Sequence, residues 1–178
     1  MEVISTIDNV NRCDIDVKLA KKGDKEAFSR LIESNKASLY RVALSMLTEK
    51  QDIEDAIQSS ILKAYQGVIH LKKNEFFKTW LIRILINECK SILNKNKKVI
   101  HIEEINKELS ITDDYRNLEL TSAVNSLDED LRIVTTLFYF EDIPQKDIAK
   151  ALGIPEGTVK TRLSRARTKL YELLKEGR

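Results

Sequence analysis

Near the C-terminus, Lys160, Arg162, Arg165, Arg167 and Lys169 fall within ten positions. Guanidinium and ammonium groups at that density neutralise phosphates, and a bidentate contact to a base edge is worth about 1–3 kcal/mol of discrimination. A second basic set lies mid-chain, where residues 78–98 hold six Lys and Arg against one acid, Glu88. Within it Thr79, Arg83, Asn87, Lys90 and Asn94 are spaced by three or four positions, which places them on one helix face. Asn87 brings the paired donor and acceptor that read a base edge. Aromatics at the start of that stretch, with His70, Lys72 and Asn74 in the preceding loop, suit a base that has left its stack. Trp80 also lies on the apolar stripe, so its first expected role is a core anchor. A third set has the opposite character: Glu54, Asp55, Gln58 and Ser59 form an acidic, amide-rich face. It suits a protein partner with a basic surface, or is simply solvated.

These residues need helices to position them. Asp24 is a predicted N-cap, followed by Phe28, Leu31, Ile32, Leu39, Val42, Ala43 and Met46 at helical spacing. Thr48-x-x-Gln51 reads as a capping box opening a second helix with Ile53, Ile57, Ile61 and Tyr65 as its apolar stripe. A third helix is predicted over 76–98, with Phe76, Trp80, Leu81, Ile84, Leu85, Ile92 and Leu93 inward. Residues 99–117 lose the period, turn acidic and carry Ser110, Thr112, Asp113 and Asp114, which marks a linker. Beyond it, Ser126-x-x-Glu129 predicts a cap before Leu131, Val134, Thr135 and Phe138. Pro144 suits a first helical position and Gly153 a stop, and a last helix opens near Pro155. Ala149, Gly153 and Val159 meet the packing needs of a helix-turn-helix, whose second, basic helix reads a major groove. Thr158, Lys160, Thr161, Arg162, Ser164 and Arg165 are its candidate contacts.

Composition agrees with this layout. With five Gly and two Pro in 178 residues, turn signals are too scarce for a β-sandwich or barrel, so the expected class is all-α. The net charge of +2 conceals +5 over residues 1–98, −7 over 99–131 and +4 over 132–178. Two basic modules meeting polyanions, joined by a stretch that avoids them, is the reading of that pattern. No apolar run reaches the length of a membrane span and no secretory leader is visible, so a cytoplasmic protein is expected. The two Cys, Cys13 and Cys89, and the two His lack ligand spacing. No phosphate loop, zinc-protease or nucleophile-elbow motif occurs, and neither an enzyme, a metal, a cofactor nor a small-molecule substrate is expected.

The segments DIEDAIQSSILKAY (52–65), FKTWLIRILINECKSIL (77–93) and IPQKDIAKALGIPEGTVKTRLSRARTKL (143–170) resemble, in order and spacing, the extracytoplasmic-function (ECF) sigma factors of bacterial RNA polymerase. The resemblance implies an all-α chain of two small helical domains, sigma-2 over 15–98 and a sigma-4 helix-turn-helix over 117–176, joined by an acidic linker, 99–116. It implies that Asp55, Gln58 and Leu62 bind core polymerase at its β′ clamp helices. Trp80, Arg83, Asn87 and Lys90 then serve −10 recognition and strand opening, and Thr158, Lys160, Thr161, Arg162, Ser164 and Arg165 the −35 element. The implied partners are the β and β′ subunits of core RNA polymerase, promoter DNA and a membrane-bound anti-sigma factor, which would hold the chain at the inner face of the membrane until envelope stress. The sequence departs from the family at Ser59-Ser60 (commonly Glu-Thr), Ser91 (Asp), Asn94 and Asn96 (Arg) and Pro144-Gln145 (Ser-Tyr). The alternative reading is a LuxR-type helix-turn-helix regulator that acts without core polymerase.

Overall fold

The computed structural model describes the backbone of residues 2–96 and 118–176, and the side chains of 12–96 and 120–175. The predicted linker, 99–116, lies outside the described residues. Among the described residues all regular structure is helical: α1 (Glu2–Lys21), α2 (Lys25–Met46), α3 (Lys50–Gly67), α4 (Phe77–Asn96), α5 (Leu118–Asn125), α6 (Glu129–Thr135), α7 (Gln145–Leu152) and α8 (Glu156–Glu176).

Asp24 caps α2 as its sequence position predicts, its Oδ1 accepting from the Ala27 amide at 2.9 Å. The other two predicted caps move. Glu49, not Thr48, precedes α3, and Asp128, not Ser126, precedes α6, both without a side-chain cap bond. Ser126 instead donates its hydroxyl to the Ala123 carbonyl at 2.8 Å, closing α5. Pro144 takes the N-cap of α7 rather than its first turn, and its carbonyl accepts from Asp147 and Ile148. Phe76 falls outside α4, in a short 3-10 turn (Asn74–Phe76), and is exposed rather than inward. Helix α1 was not legible in the sequence, because its apolar residues are too scattered to make a stripe; among the described side chains its buried apolar residues are Val17 and Ala20, beside a buried Asp16.

The buried face of α3 is also displaced from the predicted stripe. It consists of Ile53, Ala56, Ser60 and Ala64, with Ile57 and Ile61 half-buried beside it and Tyr65 exposed. Small side chains occupy the centre because they allow α4 to approach closely, and helix separation follows the residues at the contact. Tyr65 still contributes an edge-on contact to Phe28, with ring centroids 5.2 Å apart.

Leu31, Leu39, Val42, Phe77, Leu81, Leu85 and Ile86 from α2 and α4 join Ile133, Val134, Leu137, Ile148, Val159 and Leu163 in one continuous core. At about 1.5–3 kcal/mol for each fully buried large side chain, the packing of α6–α8 on α2 and α4 offsets the small size of the C-terminal half. Polar contacts cross the same boundary. The Arg132 guanidinium, buried, donates to the Ser45 carbonyl at the end of α2 (3.1 Å) and to the Asn125 and Leu127 carbonyls (2.9 and 3.3 Å). A π-turn over Thr136–Phe140, followed by Asp142 at φ +55°, swings Glu141 inward. There its carboxylate, wholly buried, accepts from Arg41 of α2. Lys78 Nζ of α4 lies 2.9 Å from Oε2, close enough for an ion pair although Oε2 has no partner in hydrogen-bond geometry.

Gly153 ends α7 at φ +71°, and its amide returns to the Ala149 carbonyl. A Cβ there would meet no neighbour within 4 Å. Gly153→Ala should therefore cost only the left-handed backbone penalty, about 1–2 kcal/mol. In a domain of this size that is a loss of roughly 2–8 °C in Tm, readable by calorimetry.

Candidate nucleic-acid interface

On α8 the buried positions are Val159, Leu163 and Ala166, which pack toward α6 and α7. Geometry then leaves Lys160, Thr161, Ser164 and Arg165 on the outer face, all exposed, with Thr158 half-buried at its edge. Thr161 returns its hydroxyl to the Gly157 carbonyl at 2.9 Å. Arg162 differs from the other candidates. Its side chain lies along α6, where Nη2 donates to Asp130 Oδ2 at 2.6 Å. Lys169 likewise pairs with Asp128 at 2.8 Å, and this hydrogen bond, with the lysine charge, holds the Asp128 carboxyl below its ordinary range. Arg167 donates to the Tyr139 hydroxyl at 3.3 Å. Of the five cations counted in the sequence, the first turns of α8 thus free Lys160 and Arg165 for a ligand.

Arg83, Asn87 and Asn94 are exposed on α4 and Thr79 is half-buried, as the spacing predicts. Trp80 is a half-buried anchor: it packs on Phe77 at 5.8 Å between centroids and fills the space beside Gly67, where a Cβ would come within 3.2 Å of the indole. Lys90 is turned away from this face. Its Nζ donates to the Ala151 and Leu152 carbonyls at 3.1 and 2.8 Å, completing the C-terminus of α7. Burial there pushes its ammonium pKa down. The arrangement therefore brings Arg83 and Asn87 together and withdraws Lys90.

Asp55, Gln58 and Leu62 stand exposed on α3, and Gln51 donates to Asp55 at 3.0 Å. They border a shallow groove of about 420 Å³ between α3 and α4 that also includes Asp52, Ser59, Glu88 and Ile92. Ser60 faces the core and donates to the Ala56 carbonyl at 2.6 Å, so Ser59 alone of the Ser59-Ser60 pair reaches this surface. Two charged residues with structural importance went unnoticed in the sequence, Arg132 and Glu141. Each interrupts an apolar run, LRIVTTLF and FYFEDI, and that interruption was the available signal.

Among the described residues no group of three or more His, Cys, Asp and Glu side chains could hold a metal, and no helix is long and apolar enough to cross a membrane. Both cysteines are free. Burial pushes the Cys89 thiol up to about 12, and burial with nearby Asp16 and Asp14 raises that of Cys13. Since the thiolate is the reactive species, Cys89 should resist an aromatic disulfide reagent at pH 8 and react promptly in denaturant. Because the buried thiol stays protonated while the unfolded one ionises, the fold is unaffected by this group below about pH 9 and loses stability as pH rises from about 9 toward 12.

Two family models match the chain in order: sigma-70 region 2 over residues 31–99, and sigma-70 region 4 over 117–170. The ECF RNA polymerase sigma-E factor of Haemophilus influenzae is 30% identical, the match covering 85% of this chain and 89% of that protein. The chain belongs to the ECF sigma factors of the sigma-70 family. The ECF sigma factor SigW of Bacillus subtilis is similar as well, at 29% identity over 90% of this chain and 95% of its own. Among solved structures, the sigma factor RpoE in complex with the anti-sigma factor NepR from Bartonella quintana superposes with a TM-score of 0.67 at 27% identity, covering 85% of this chain and 98% of that one. CnrH, solved with the cytosolic domain of CnrY, shares the fold at a TM-score of 0.64 and 24% identity, covering 93% and 98%. A sigma factor is an initiation subunit and not an enzyme, in line with the sequence reading. The region 2 match over the N-terminal half removes the LuxR-type alternative.

Proposed function

We propose that this sigma factor docks on core RNA polymerase through the exposed α3 face of Asp55, Gln58 and Leu62 and directs it to promoters with the polar faces of α4 and α8. Residues 15–98 form the sigma-2 unit, 99–116 the connector and 117–176 the sigma-4 unit. Arg83 and Asn87, with the half-buried Trp80, serve the −10 element and its opening. Lys160, Thr161, Ser164 and Arg165, flanked by Thr158, serve the −35 element. Lys90 joins its face when the two halves part, since its ammonium is held by α7 of the other half, whereas Arg162 joins its face by leaving Asp130 within its own half. The observation that carries this reading is that three exposed faces, one acidic and two basic, stand on one helical scaffold in the order of the two sigma-70 regions.

An anti-sigma factor is the natural regulator of such a chain. RpoE of Bartonella quintana, 27% identical, was solved bound to one. We place the protein in the cytoplasm, at the inner face of the membrane when its anti-sigma factor is anchored there. The deciding experiment adds the protein to core polymerase and sequences RNA 5′ ends from a promoter library. A shared pair of upstream elements is expected; no gain in promoter-specific initiation would overturn the proposal.

A further inference from the structure

Asn74 reads in the sequence as a residue that could touch a base, yet the structure commits its whole amide elsewhere. Oδ1 accepts from Lys21 Nζ of α1 at 2.7 Å, and Nδ2 donates to Asp14 Oδ1 of α1 at 3.0 Å. The segment it belongs to, residues 68–76, has two short 3-10 turns, held by single backbone bonds such as Leu71 N–H to Val68 O (3.1 Å) and Phe76 N–H to Lys73 O (3.2 Å) rather than by an α-helical ladder. Val68, Leu71 and Phe77 pin it to the core, and α1 packs against both turns. Between these pins Lys72, Lys73 and Phe76 project outward. Phe76 is 48% exposed, and Lys73 Nζ stands 5.6 Å from its ring centroid. A free aromatic face beside a cation is the chemistry that stacks a base and neutralises its phosphate.

We propose that Asn74 is a positioning residue, its amide clamped between Asp14 and Lys21 of α1 so that the 72–76 turn presents Phe76 and Lys73 to an unstacked base of the −10 element. The proposal rests on the −10 reading above and adds α1, which that reading leaves unused. A turn held by so few backbone bonds loses further freedom on binding unless something fixes it beforehand. The amide is suited to fix it, because it gives and accepts at once, matching one carboxylate and one ammonium. Lys18 and then Asn74 hold the Asp14 carboxyl below its ordinary range, so the acceptor stays ionised at neutral pH.

The test exchanges the two partners. Asn74→Asp keeps the Lys21 contact but sets two carboxylates against each other. Adding Asp14→Asn restores one donor and one acceptor in reversed order, at the cost only of the exposed Lys18–Asp14 pair. Holoenzyme would be reconstituted with each variant and with Phe76→Ala, then scored for core binding, permanganate-detected opening and base preference in a −10 library. Asn74→Asp is expected to slow opening by roughly 2- to 10-fold and flatten the −10 preference, with core binding unchanged. The exchanged pair should return both to near the starting values. The clamp is wrong if Asn74→Asp behaves as the parent, if the exchange fails to rescue, or if both variants lose core binding together. Should Phe76→Ala leave the −10 preference intact, the placement of the base on this turn fails while the sigma reading stands; should the parent holoenzyme itself show no −10 preference, the sigma reading fails first.

Discussion

Arg132→Ala is expected to lower the unfolding free energy by about 2–4 kcal/mol, because each buried carbonyl left unsatisfied costs about 1–3 kcal/mol and water reaches part of the site. Three carbonyls lose their donor at once: Ser45, Asn125 and Leu127. The mitigating water would enter from the groove of about 540 Å³ that Arg132 lines together with Met46, Leu47, Leu93 and Leu127. Among the described residues no carboxylate forms a salt bridge with this guanidinium, and burial pushes its pKa down. Its contribution therefore lies in geometry: a planar fork reaches two helix ends that a lysine could not satisfy together. Arg132→Lys should accordingly recover only part of the loss. Urea unfolding followed by circular dichroism gives the free energies. Small-angle scattering tests the second half of the expectation, an expanded molecule, since the Ser45 bond joins α2 to α6. An alanine variant within 0.5 kcal/mol of the parent, equally compact, would contradict this account.

How much of this was visible beforehand depends on whether the signal was local. The α2 cap at Asp24, the stop at Gly153 and the outward face of Arg83 and Asn87 follow from residue type and helical spacing, and the structure has them there. The buried face of α3 was misjudged because Ala56, Ser60 and Ala64 look weakly apolar in sequence, and only the close approach of α4 makes them core. Thr48 and Ser126 satisfied capping-box spacing, but chain entry from the preceding turns put Glu49 and Asp128 at the boundary. Lys90, Arg132 and Glu141 were illegible for one shared reason. Each finds its partner on the opposite half of the chain, 61 to 100 residues away for Lys90 and Glu141 and 87 for Arg132 to Ser45, and no periodicity encodes that packing. Arg162 looked equivalent to Arg165 for a related reason, since its partner Asp130 lies 32 residues away on α6 of the same half and is set by packing that helical spacing does not encode.

That difference separates the strongest functional expectations. Arg165 is exposed on the outer face of α8, and its loss should remove a full base or phosphate contact. Arg165→Ala is expected to reduce initiation at −35-dependent promoters by roughly 5- to 150-fold, the equivalent of about 1–3 kcal/mol for a good bidentate pair. Stability should hardly change, because the side chain is exposed and has no hydrogen-bond or ion-pair partner among the described residues. Arg162→Ala costs an ion pair with Asp130 whose carboxylate is 68% exposed, worth at most about 1 kcal/mol. If Arg162 leaves Asp130 to reach DNA, Arg162→Ala will match the Arg165 effect and Asp130→Ala will raise promoter affinity; if it stays paired, neither change will move initiation. Asn87→Ala supplies the orthogonal arm. It should impair opening, read by permanganate reactivity at the −10 element, while leaving −35 affinity and core binding intact, since Asn87 stands on α4 away from Asp55, Gln58 and Leu62 on α3. Equal loss of core binding in Asn87→Ala and Arg165→Ala would show that the two faces do not divide the promoter between them. The salt dependence adds a last discriminator: losing a phosphate contact lowers the slope of log affinity against log salt by about one, whereas losing an uncharged base contact leaves it nearly unchanged. Arg165→Ala should lower that slope if its guanidinium meets phosphate, and Asn87→Ala should not.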